Sequence, residues 1–96
     1  MENVKFIDGQ FTPTEAKEIL LNMISSKIQF HRIKEFSSEI RDGKPAINSQ
    51  QRIKELQEAR EKIITLMKDA ENQNQMIDLQ STVNISYTAK NEVEKI

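Results

Sequence analysis

Two patterns of apolar residues divide the chain into helical and extended parts. From residue 13 to about residue 71, apolar side chains recur every three or four positions, which is the period of an amphipathic α-helix. After that the period changes to two, as in a strand with one buried face. These patterns predict helices at about Pro13 to Arg41 and Ser49 to Glu71, and a strand at about Met76 to Tyr87.

The signals at the helix ends agree with this division. Thr12 followed by Pro13 and Glu15 forms a capping box with proline at the first helical position, so a helix should begin there. Asp42-Gly43-Lys44-Pro45 predicts the end of that helix, and Ser37-Ser38 leaves open an earlier break. The short connection makes the two helices antiparallel neighbours.

The N-terminal segment predicts a short strand at Val4 to Ile7. Asp8-Gly9 favours a tight turn that would fold Phe6 against Phe11, and a plain loop into the helix is the alternative. The predicted fold class is α+β: an antiparallel helical hairpin flanked by a short N-terminal strand and a long C-terminal strand (β-α-α-β). We expect one compact domain over residues 1–87 and a polar C-terminal tail at 88–96, as a frayed helix or a loose segment.

One face of each helix carries the residues expected in the core. In the first helix they are spaced alternately by four and three: Ile19, Met23, Ser26, Phe30, Ile33, Ser37 and Ile40. In the second helix they are Ile53, Leu56, Ile63, Met67 and Ala70. Replacing Phe30 or Ile63 by alanine is expected to cost ~2–5 kcal/mol through lost burial and a residual cavity.

Composition excludes several kinds of function. The 96 residues carry a net charge of −1, from 14 basic and 15 acidic residues, so no overall field attracts nucleic acid or an anionic membrane. The absence of cysteine excludes disulfides and cysteine-based zinc sites, and only two glycines are available for a phosphate-binding loop. No apolar run approaches ~18 residues and no signal-peptide pattern is present, so we expect a cytoplasmic protein with no membrane partner.

No group of residues predicts catalysis. His31 is the only histidine, and we expect it at the surface or in an interface because no second ligand or catalytic partner accompanies it. Glu55, Glu58 and Glu61 share helical spacing, but interleaved basic residues indicate an ordinary solvated face. We therefore expect a non-enzymatic protein with no metal and no cofactor.

Basic residues gather around the turn between the helices. Between residues 32 and 54, six basic residues stand against three acidic ones. The six are Arg32, Lys34, Arg41, Lys44, Arg52 and Lys54. A regulatory contact with nucleic acid is the alternative function, but aromatic side chains for base stacking are scarce there, and an ordinary charged surface is the favoured interpretation.

Two features favour self-association. The N-terminal half of the first helix is apolar on more than one side, and the C-terminal strand is longer than its predicted partner strand. The candidate interface residues are Leu20, Leu21, Ile24, Ile28, Leu79, Val83, Ile85 and Tyr87. We expect a homodimer, either sheet-paired or a four-helix bundle, with another protein docking at the sheet edge as the alternative.

Overall fold

The computed structural model describes residues 1–43 and 47–90. Its elements follow the order β1 (Glu2–Phe11), α1 (Pro13–Asp42), α2 (Ile47–Asn72) and β2 (Ile77–Ile85). The predicted β-α-α-β order and the α+β fold class are confirmed. Part of the predicted turn, Lys44 and Pro45, and the last six residues of the predicted tail lie outside the described residues.

Strand β1 is longer than predicted, because it runs through Asp8-Gly9 without turning. Asp8 pairs with Gln80 and Gly9 with Leu79, in an antiparallel two-stranded sheet that we call the ribbon. The predicted turn and its loop alternative are therefore both wrong. Pairing with a strand some seventy residues away overrides the local turn preference of these two residues.

A β-bulge at Phe6 keeps the apolar face of the ribbon continuous. Ile7 pairs with Ser81 and Lys5 with Thr82, so β1 contributes one more residue than β2 at this point. Since side chains alternate between faces, the extra residue brings Val4 onto the same face as Ile7. Without it, Lys5 would occupy that face.

Helix α1 begins and ends with local hydrogen bonds. The Thr12 side chain accepts from the Glu15 backbone N–H at 3.1 Å, and the Thr12 N–H donates to the Glu15 carboxylate at 2.9 Å, which is the predicted capping box. The helix continues without a break through Ser37-Ser38. It ends at Gly43, whose φ of 77° suits glycine and whose N–H donates to the Glu39 carbonyl at 2.8 Å.

The molecule is a thin plate. The helical hairpin and the ribbon together measure 50 × 31 × 14 Å between Cα atoms, with a radius of gyration of 16.6 Å, against about 12.5 Å for a compact chain of this length. The ribbon touches α1 at few points. A plate one helix thick encloses little, and among the described residues the buried apolar side chains are Ala16, Ile24 and Met67.

Candidate functional site

The stripe predicted as the core face of α1 lies largely on the outside of the molecule. We call Met23, Ser26, Phe30, Ile33, Ser37 and Ile40 the outer stripe. All six are exposed, and exposure of the apolar members increases along the helix, from 38% at Met23 through 45% at Phe30 and 57% at Ile33 to 69% at Ile40. The prediction that Phe30 is a core residue is therefore wrong, whereas Ile63 on α2 is half-buried.

A different face of α1 meets α2. The buried or half-buried positions along this inner face are spaced three or four residues apart: Ala16, Leu20, Ile24, Ile28, His31, Glu35 and Ser38. The two faces are separated by roughly a third of a turn of the helix. The N-terminal half of the inner face is apolar and its C-terminal half is polar, so the helix has turned a partly polar surface inward and an apolar one outward.

His31 is the most unexpected member of the inner face. The prediction that it lies at the surface is wrong: it is 1% exposed, next to Ser49 of α2, which is 2% exposed. The Nδ1 atom lies 3.4 Å from the Ser49 hydroxyl, and the ring meets Phe30 edge-on at 5.4 Å between centroids. The Nε2 atom is buried without a hydrogen-bond partner.

Burial and three nearby cations change the pKa of His31 in the same direction. Burial lowers the pKa of His31 from its ordinary value of 6.5, and the cations of Lys27, Arg52 and Lys34 lower it further. The ring is therefore neutral at physiological pH. A neutral imidazole donates at one nitrogen and accepts at the other, and the Nδ1 side of this ring faces the Ser49 hydroxyl.

The candidate interface residues divide between buried and exposed positions. Ile24 is buried, and Leu20, Leu21, Ile28 and Leu79 are half-buried. On the ribbon, Val83 and Ile85 are exposed, and Tyr87 beyond the end of β2 is almost fully exposed. The exposed positions lie toward the ribbon end farther from the helices, where Val4 pairs with Val83.

The basic residues near the helical turn do not all face outward. Lys34 and Arg52 are half-buried near His31, and Arg52 also pairs with Glu55. Arg32, Arg41 and Lys54 are exposed, and Lys44 lies outside the described residues. Two of the six candidate nucleic-acid contacts are thus partly covered by the hairpin.

Three further findings bear on the kind of site. Among residues 1–43 and 47–90, no three histidine or acidic side chains come together as a metal-binding group. Within the same residues, no helix combines the length and the apolar character needed to cross a bilayer. No family model, curated protein or solved structure matches the chain.

Proposed function

We propose that the protein is a non-enzymatic protein-interaction module that works as a homodimer. The observation that carries this proposal is the outer stripe, an apolar helix face left open along α1. Contiguous apolar surface of this kind is costly in water and marks interaction sites on soluble domains.

The surface area of the chain supports the same proposal. Its accessible surface is 7864 Å², against ~5,700 Å² for a compact monomer of 11.2 kDa. The difference, roughly 2,200 Å², counts polar and apolar surface together, and it is large enough to include the ~800 Å² that each partner buries in a standard interface. A second copy is always available and carries the same apolar stripe, so self-association is the simplest way to cover it.

Light scattering on the purified chain tests the proposal. We expect a mass of twice 11.2 kDa over a range of protein concentrations. The dimer should persist in concentrated salt, because burial of apolar surface is not screened. A mass of one chain at high protein concentration would refute the proposal.

The same sample tests the alternative function at the basic turn. Binding of DNA or RNA through a few lysine and arginine contacts would weaken steeply with salt. We expect no shift of either nucleic acid at physiological salt, and a specific, salt-sensitive shift would favour the regulatory alternative.

A further inference from the structure

The spacing of the outer stripe is that of a coiled-coil seam. Its members alternate by three and four residues over 23, 26, 30, 33, 37 and 40, which is two and a half heptads of a and d positions. On a helix that packed only against α2, this face would be polar. We propose that the outer stripe is the seam of a parallel α1–α1 coiled coil between two copies of the chain, an inference that rests on the proposed homodimer.

The two serines fit the inside of such a seam. Ser26 and Ser37 lie between larger apolar residues, so the two helices can approach closely at their levels. A buried serine hydroxyl can donate to the carbonyl four residues earlier in its own helix. Thr65 on α2 makes this kind of bond to the Glu61 carbonyl at 3.1 Å.

The charges beside the seam select the parallel orientation. Lys27 and Lys34 lie on one flank of the stripe, and Gln29 and Phe36 on the other. In an antiparallel pair that overlaps the whole stripe, Lys27 would face the second copy's Lys34, and like charges repel. In a parallel pair the opposite flanks meet, so Gln29 faces the second copy's Lys34 and no like charges oppose each other.

The parallel orientation has a consequence for the ribbons. A twofold axis running along α1 places both ribbons at the same end of the dimer. Their exposed apolar positions, at Val4, Val83 and Ile85, then lie at that one end. An antiparallel pair would separate the two ribbons by the length of the helices.

Cysteine cross-linking tests the seam and its orientation, because the chain has no cysteine of its own. In the parallel pair, both copies of residue 26 come within the ~7 Å Cα distance that a disulfide spans, and so do both copies of residue 37. We expect Ser26→Cys and Ser37→Cys each to give a disulfide-linked dimer under mild oxidation. Ser25→Cys, exposed on the same helix outside the stripe, is the matched control and should not cross-link.

The antiparallel pair gives the opposite result. There residue 26 faces residue 37 of the second copy, and the two copies of residue 26 lie about 16 Å apart along the axis. Cross-linking only in a mixture of Ser26→Cys and Ser37→Cys would overturn the parallel arrangement.

A charge placed in the seam separates this inference from the proposed function. Ile33→Glu should reduce the mass to one chain, and Ser25→Glu, which adds the same charge outside the stripe, should leave the dimer intact. Residue 33 is exposed, so circular dichroism should report unchanged helix content. If the wild type and Ile33→Glu are both dimers, and neither Ser26→Cys nor Ser37→Cys forms a disulfide, the seam is refuted and the dimer stands. A monomeric wild type would refute the proposed function itself.

Discussion

The two halves of the helical hairpin are stabilised in different ways. The base half, residues 13–26 of α1 with 59–72 of α2, holds Ala16, Ile24 and Met67, the buried apolar side chains of the described residues. The tip half, residues 27–42 with 47–58, buries His31 and Ser49 instead, and exposes Phe30, Ile33, Phe36 and Ile40. Burying a polar pair contributes little net stability, whereas burying apolar surface contributes about 25 cal/mol per Å².

The two halves therefore differ in how much apolar surface they bury without a partner. The buried apolar side chains of the base half are covered by the chain itself, next to the capping box and the ribbon. In the tip half, the exposed apolar side chains lie on the face of α1 that points away from α2. Their surface stabilises the protein only when a second molecule covers it. The base half, which buries apolar side chains, and the tip half, which exposes them, are thus consecutive stretches of the same two helices.

The largest expected effect separates the two halves directly. Ile24→Ala should lower the free energy of unfolding by ~2–5 kcal/mol, because it removes a buried side chain and leaves a cavity. Phe30→Ala should cost far less in dilute protein, because its ring is 45% exposed, and its cost should grow with protein concentration as the dimer forms. Urea denaturation at two protein concentrations measures the unfolding free energy of each variant. Equal losses for the two variants in the dilute sample would show that the two halves do not differ in this way.

A smaller effect is expected at the start of the base half. Thr12→Ala removes the hydroxyl that accepts from the Glu15 backbone, which should cost about 1 kcal/mol. Thr14→Ala, two residues after the cap, is the control and should change the denaturant midpoint much less. If the two variants were equally stable, the capping box would contribute nothing to the base half.

The smallest effect should come from pH and belongs to the tip half. The pKa of His31 is lower in the folded chain than its ordinary value of 6.5, so the unfolded chain takes up the proton first as pH falls. Stability should therefore be unaffected above that value and decrease as pH falls below it. Denaturant midpoints at about pH 7.5 and about pH 5.5 measure the loss.

His31→Gln is the control for that measurement. Glutamine keeps a polar side chain at the position but does not titrate, so the difference between the two midpoints should shrink. An undiminished difference would show that other groups cause the pH dependence.

Both helices and the C-terminal strand follow from local signals in the sequence. The capping box at Thr12, the change of apolar period before β2 and the breaker at Gly43 are local signals, and each lies where the structure begins or ends an element. They depend on hydrogen bonds and backbone preferences within a few residues, which a sequence shows directly.

The extent of β1 and the orientation of α1 depend on contacts between distant parts of the chain. Asp8-Gly9 is extended because β2 supplies its hydrogen-bond partners, and that pairing is invisible to local turn preferences. Helical spacing shows which residues share a face, but α1 has two faces with apolar residues, and only one can meet α2. In the structure, Ile24 and His31 lie on the inner face and Phe30 lies on the outer face. The rotation of a helix about its axis is set by the elements it packs against and by the chain at its two ends. Periodicity within one helix contains no information on that rotation.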